Sequence, residues 1–444
     1  MRRHESVGVL HMIHVDDLTK IFGPNPDAAL CMLDDGHGKD AIREATGHVL
    51  GVNGASFELE RGEFFVIMGL SGSGKSTLLR CLNRLVPFTR GRVLVGPAGE
   101  QVDVGTASAR ELREIRTRRM SMVFQRFGLL PHRSVRDNVA YGLEIQGVAR
   151  SEREARSEEV LEMVGLGGWG PSRTSELSGG MQQRVGLARA IATDAEVLLM
   201  DEPFSALDPL IKMQMQDEMI RLQRQLGRTI VFITHDLDEA LRLGDRIAIM
   251  DDGTIVQIGS PERIITEPGT AYVADFVEHA DPTHVITART VAVDLDHERV
   301  GVARRVGDVT FHSHVAQSDV EIGVDRDGRV VEVVADGARA RIEALDRVLE
   351  EDAPAFRYRD RAVWVRGDAT LRRLLDARTY VNLPVIVQDE DGRLIGLVTE
   401  RELIHGIVEK RGHGVRSPAA SASASAPRPL DVASVEPHAI GRHA

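Results

Sequence analysis

FFVIMGLSGSGKSTLLRCLNRL, residues 64–85, decides the fold of this chain. Five apolar residues in a row are too few for a helix and suit a strand covered on both faces, as in a parallel sheet. The polar GLSGSGKST (69–77) that follows fits G-x-x-x-x-G-K-[ST], and STLLRCLNRL (76–85) then carries apolar residues at helical spacing. Strand, glycine-rich turn and helix in that order make a phosphate-binding loop. Gly72 and Gly74 let backbone N–H groups wrap a phosphate, Lys75 reaches its outer oxygens, and Ser76 is placed to ligate Mg²⁺. Gly69, Ser71, Ser73 and Thr77 complete the contacts expected of the loop. The competing reading, a chance glycine turn, fits the flanking strand and helix poorly.

Two further apolar runs, VLLM (197–200) and TIVFIT (229–234), also read as buried strands, and each ends on chemistry. Ligands collect at the carboxyl ends of strands in open α/β sheets. Asp201 and Glu202 follow the first run; one carboxylate there serves a metal ion through water, and the other orients or deprotonates an attacking water. His235 follows the second, in position for phosphate contact or water orientation. Gln125, in MVFQRFGLLPH, ends a fourth apolar run with an amide able to reach metal or water. Taken singly, a solvated acidic turn, a structural histidine and a surface glutamine explain these residues as well.

A second glycine turn raises a separate question. ELSGGMQQRVGLARA (176–190) places Gly179 and Gly180 at the start of a helix-period segment, the way a chain exposes N–H groups to an anion. No lysine and no acidic pair stands beside it.

Together these residues resemble the nucleotide-binding subunit of ATP-binding cassette (ABC) transporters. The matching motifs are Walker A (69–77), the Q-loop Gln125, the LSGGM signature (177–181), Walker B ending in Asp201-Glu202, the D-loop SALD (205–208) and the switch His235, over residues 12–280 or so. The resemblance implies ATP and Mg²⁺ as cofactors, with Glu202 and His235 catalytic and Ser76, Gln125 and Asp201 at the metal. It implies an α/β fold with a RecA-like core, a helical subdomain at about 126–190 and an N-terminal β subdomain, within residues 1–281. Phe22, in LTKIFG, matches the aromatic that stacks on adenine. It answers the orphan turn as well: Ser178, Gly179 and Gly180, with the dipole of the following helix, would complete the site of a second copy in a head-to-tail dimer with two ATP molecules at its interface, and Gln182 and Asp208 are implied among the nucleotide-binding residues.

Within that superfamily the chain is similar to the ATPase subunits of glycine betaine/proline importers, through the insertion between Phe22 and the Walker A strand and through FSALDPLIKMQMQDEM (204–219) and THDLDEALRLGDRIAIMDDG (234–253). The implied partners are a transmembrane permease and, indirectly, a substrate-binding protein, at the cytoplasmic face of the membrane. An importer for another small polar solute such as an amino acid is the alternative. Quaternary ammonium groups are held in aromatic cages, and two Trp and four Tyr leave no such group here. Recognition of the solute belongs to another subunit.

After about residue 281 the texture changes. NLPVIVQDEDGRLIGLVTERELI (382–404) resembles the second half of a cystathionine-β-synthase (CBS) module, with a turn at Asp391-Gly392 and a capping-box spacing at Thr399 and Glu402. A small α/β CBS-pair-like domain is expected over 282–410, its second module at 345–410 and its first at about 283–341, where VEIGVDRDGRVVEVV (320–334) is the best fragment. Such a pair implies sensing of ionic strength or a nucleotide, which leaves a regulator as a reading of a different class. From about residue 411 the chain is Ser/Ala/Pro-rich and expected to be disordered.

The remaining bounds are broad. With 444 residues the chain calls for more than one core, and 42% hydrophobic and 27% charged residues are ordinary for a globular protein. A formal charge of −12 argues against a nucleic-acid partner, as does the lack of a long coiled coil between the two glycine turns. No stretch approaches the roughly 18 apolar residues of a spanning helix. Cys31 and Cys81 have no CxxC neighbour and are expected to be reduced. The polar stretch 23–52 is expected to hold one short helix at about Lys39–Ala45.

Overall fold

A computed structural model describes residues 11–408 apart from 98, 126–127, 206, 279, 316 and 351–359. The expected disordered tail from 411 onward lies outside the described residues.

The three apolar runs are the middle of a six-stranded sheet in the order Thr254–Gly259, Arg246–Asp251, Phe64–Met68, Thr229–Thr234, Val197–Asp201, Met120–Val123. All neighbours are parallel except the edge strand Thr254–Gly259. Every residue of Phe64–Met68, Val197–Asp201 and Thr229–Thr234 is buried, because their alternate side chains serve two different cores. Phe64, Val66, Met68, Leu198, Met200 and Phe232 face the core shared with the helices, whereas Phe65, Ile67, Val197, Leu199 and Val231 face the core shared with a second sheet. Each fully buried aliphatic or aromatic chain contributes about 1.5–3 kcal/mol, and the polar residues of these strands, Asp201, Thr229 and Thr234, stand at their ends.

The second sheet is four-stranded and antiparallel, in the order Val49–Glu60, His11–Phe22, Arg90–Val95, Val102–Asp103. Three helices, Val135–Ile145, Arg150–Met163 and Gly179–Ala192, pack on one another beside the central sheet. Helix Pro209–Leu226 starts where Asp208 caps it and Pro209 suits the first helical position, and Gly227, at φ 60°, ends it. The phosphate-loop helix spans Lys75–Leu82, starting one residue before the expected 76–85 and ending three residues short of it. Arg84 adopts φ 52°, and Asn83 Oδ1 takes the N–H of Leu85 at 3.1 Å, an Asx turn that stops the helix.

The insertion differs from expectation. It holds two helices, Asp27–Asp34 and Lys39–Thr46, that bury Ala29 and Ile42 against Ile21 and Leu50.

Beyond residue 281 the expected first CBS module is not built as one. Residues 300–339 instead form a five-stranded antiparallel meander, Val300–Val306, Val309–His314, Gln317–Val324, Val330–Ala335 and Ala338–Arg339, with no helix between its strands. The expected fragment 320–334 is a hairpin within it, closed at Gly328 (φ 82°). The second half has the anticipated α/β character. Strands Arg341–Ala344, Arg361–Arg366 and Val385–Gln388 are parallel, Leu394–Val398 is antiparallel, and helices Leu345–Glu350, Leu371–Tyr380 and Glu400–Val408 accompany them. Only half of the Thr399–Glu402 capping box forms: Glu402 accepts the Thr399 N–H at 3.0 Å, while Thr399 Oγ1 accepts from Arg401 at 3.3 Å.

Cys31 is exposed and Cys81 buried, and burial pushes the Cys81 thiol up to about 12. A thiol reagent at about pH 8 should therefore titrate one cysteine in the native protein and both after denaturation. Two fast native thiols would contradict this packing.

Candidate nucleotide site

Four neighbouring strands end at one edge of the central sheet, and the residues just after their carboxyl ends make the site. Met68 stands opposite Thr234, Ile233 opposite Asp201, and Met200 opposite Val123. Strand order alone thus sets the phosphate loop, His235, Asp201-Glu202 and Gln125 side by side.

Within the loop Gly72 and Gly74 have φ of 84° and 98°, a backbone region that glycine enters freely. A Cβ on Gly74 would overlap the carbonyl oxygen of Gly51, and one on Gly69 the carbonyl oxygen of Met250. The loop is therefore pressed against backbone from behind. Ser71 and Gly72 lie exposed at its tip, and Ser73 Oγ is buried without a hydrogen-bond partner. Helix Lys75–Leu82 starts with no side-chain cap, which leaves its first N–H groups for an anion. Lys75 Nζ donates to the carbonyl oxygens of Gly69 and Leu70, each at 2.8 Å. Burial pushes this ammonium below its ordinary value, and the charges of Glu202 and Asp201 oppose that shift.

Asp201 is fully buried. It accepts from Ser76 Oγ at 2.7 Å and from Arg80 Nη2 at 2.9 Å. Sequence reading missed Arg80, although its i+4 spacing from Ser76 puts both on one helix face. Glu202 adopts φ 48°, a region few non-glycine residues enter. Its N–H donates to Ile233 O at 3.2 Å, and Pro203 after it disfavours the helical alternative. Gln125 Nε2 donates to Glu202 Oε2 at 3.2 Å, and His235 Nδ1 lies 3.5 Å from Oε1. The His235 side chain is 62% exposed and that of Glu202 18%, so the carboxylate is withdrawn and the imidazole reaches outward. Phe22 is 40% exposed. A Cβ on Gly51 would press on both the Phe22 ring and the Thr77 methyl, so this aromatic face stands beside the loop.

The second glycine turn stands apart. Ser178 Oγ accepts the Met181 N–H at 3.3 Å and caps helix Gly179–Ala192. Ser178 and Gly179 are exposed, and nothing lies within 4 Å of a Cβ built on Gly179. Among the described residues no hydrogen bond joins 178–180 to 69–77. Gln182 spends its amide on Thr174 O and Leu177 O, at 3.0 and 3.2 Å. Asp208 caps its helix by accepting the Ile211 N–H at 3.1 Å.

A glycine phosphate loop, a buried Asp on its serine, and an adjacent Glu held between Gln and His define an ATP-binding cassette. The ABC transporter family matches residues 52–205, and the CBS domain family matches residues 358–409. The chain belongs to the ABC transporter family, as an ATP-binding and ATP-hydrolysing subunit. It is 44% identical over 394 residues to the glycine betaine/carnitine transport ATP-binding protein GbuA of Listeria monocytogenes, covering 87% of this chain and 95% of that one. To the glycine betaine transport ATP-binding protein OpuAA of Bacillus subtilis it is 44% identical over 396 residues, 88% of this chain and 91% of that one. To the glycine betaine/proline betaine transport system ATP-binding protein ProV of Escherichia coli it is 42% identical over 401 residues, 89% and 97% of the two chains.

Proposed function

We propose that this subunit powers the import of glycine betaine or a related quaternary amine by binding and hydrolysing ATP between two copies of itself. What supports the substrate class is the identity of 42 to 44% across 87 to 89% of the chain to three ATP-binding proteins whose names specify glycine betaine. A permease partner supplies the translocation path at the cytoplasmic face of the membrane, and a substrate-binding protein acts through that permease. Among the described residues no helix is long and apolar enough to cross a membrane.

The adenine ring stacks on Phe22, and the triphosphate enters the loop. There Lys75 and the N–H groups of Gly72, Ser73, Gly74 and the helix start neutralise its oxygens. Ser76, Asp201 and the Gln125 carbonyl offer a hydroxyl, one carboxylate and an amide oxygen, a hard oxygen set of the kind Mg²⁺ takes when phosphates and water fill its other positions. The ion, when bound, offsets charge developing on the phosphoryl oxygens. Arg80 fixes the Asp201 carboxylate through its 2.9 Å contact. Glu202 accepts the proton of the attacking water, while His235 and Gln125 hold that water and the carboxylate in line. Ser178, Gly179 and Gly180 of the second copy close over the γ-phosphate and stabilise its charge with backbone N–H groups.

Uptake of radiolabelled glycine betaine tests the substrate. In a host strain lacking its own betaine importers, the chain with its cognate permease and binding protein should restore accumulation, and its Glu202→Gln variant should not. Accumulation of an amino acid in place of betaine would overturn the substrate assignment.

A further inference from the structure

The two-helix insertion after Phe22 serves no step of the hydrolysis, yet it touches the nucleotide site from two directions. On one side Lys39 Nζ reaches Asp252 Oδ1 at 2.8 Å, across 213 residues of sequence. Asp252, at φ 44°, begins the turn that carries Gly253. That turn is the rear wall of the phosphate loop: the Gly253 N–H donates to Ser73 O at 3.1 Å, and Gly253 O accepts the Asn53 N–H at 2.8 Å. A Cβ on Gly74 would lie 3.5 Å from Gly253 Cα, so the turn stands close behind the loop.

On the other side His48, 8% exposed, has Nε2 at 2.6 Å from Pro24 O and Nδ1 at 2.9 Å from Thr46 O. Its ring fills the space where a Gly23 side chain would be. The residue after Phe22 is thereby tied to the end of helix Lys39–Thr46, whose Ile42 is locked into the small core with Ile21.

We propose that residues 23–48 form a brace that sets nucleotide affinity, with Lys39 and Asp252 as positioning residues for the phosphate loop and His48 as the positioning residue for the Phe22 platform. The inference rests on the ATP reading of the site and extends it to residues that touch neither base nor phosphate. The two arms separate by ligand. The Lys39–Asp252 pair acts on anything the loop holds, whereas His48 acts only on ligands with a base.

Affinities of the full chain for ATP and for inorganic tripolyphosphate, measured by calorimetry, test this. Lys39→Ala and Asp252→Ala should each weaken both ligands about threefold, the range open to a partly exposed ion pair. The double variant should be no worse than either single one, and the Lys39→Asp/Asp252→Lys exchange should recover most of the loss. His48→Ala should weaken ATP about fivefold, through the lost ring that fills the space beside Gly23 and its hydrogen bond to a backbone carbonyl, while leaving tripolyphosphate unchanged. In all of these variants kcat at saturating ATP should stay at the wild-type value, and KM should carry the change. Unchanged ATP affinity in the Lys39, Asp252 and His48 variants overturns the brace. So does a matching fall in the nucleotide-free melting temperature, which would mark general loosening. Failure of the wild-type chain to bind ATP at all would instead remove the reading on which the brace rests.

Discussion

Glu202→Gln is expected to slow ATP turnover by about two to three orders of magnitude, within the range lost with a positioned general base. The amide keeps the volume of the side chain and can still pair with Gln125, whose Nε2 stands 3.2 Å from Glu202 Oε2. What it loses is the capacity to take a proton. On the proposed reading, in which the loop, Lys75 and Phe22 hold ATP and Glu202 meets the attacking water, ATP affinity should stay within about a factor of two. With binding intact and hydrolysis blocked, the ATP-bound dimer should accumulate on size-exclusion chromatography. Phosphate release at the wild-type rate would take the proton-accepting role away from Glu202.

Gly179→Asp is expected to abolish turnover by at least about 100-fold, the scale of losing preorganised oxyanion donors, without unfolding anything. Nothing lies within 4 Å of the new Cβ, and Ser178 already caps this helix. An aspartate in the first turn is favoured by the helix dipole, so the melting temperature should hold or rise. The chain's own phosphate loop is untouched, and ATP binding to the isolated chain should persist. Only the approach of a second chain's γ-phosphate meets the added carboxylate. Wild-type turnover in this variant would mean the turn has no part in the site.

The central sheet was legible because strands buried on both faces leave an unmixed apolar run. Phe64–Met68, Val197–Asp201 and Thr229–Thr234 stand where those runs predict. The residues after them were legible for the same reason, since chemistry in an open parallel sheet gathers at one edge. Arg80 escaped notice because an arginine on an amphipathic helix ordinarily means a solvated face; only its distance to Asp201 distinguishes it. The rear wall of the phosphate loop could not be read at all. Gly51, Gly74 and Gly253 meet there from three distant parts of the chain, and no local pattern encodes that meeting.

The region 300–339 shows the limit most plainly. VEIGVDRDGRVVEVV reads as strand, turn and strand, and it is one. A hairpin of that kind belongs equally to a CBS module and to an antiparallel meander, and the difference lies in the helices that flank it. The first insertion helix, Asp27–Asp34, went unseen because it is short, has no side-chain cap and buries only Ala29.

The claim on which the transport reading turns is that each ATP is held by the loop of one chain and the glycine turn of another. Mixing two inactive variants, Lys75→Ala and Gly179→Asp, measures this directly. In a head-to-tail pair the mixed dimer gathers both lesions into one site and leaves the other intact. Phosphate release should therefore return to about one quarter of the wild-type rate at equal concentrations, half of the dimers being mixed and each having one working site. If the turn served its own chain's nucleotide, every site would carry a lesion, and a mixture as inactive as its components would contradict the account.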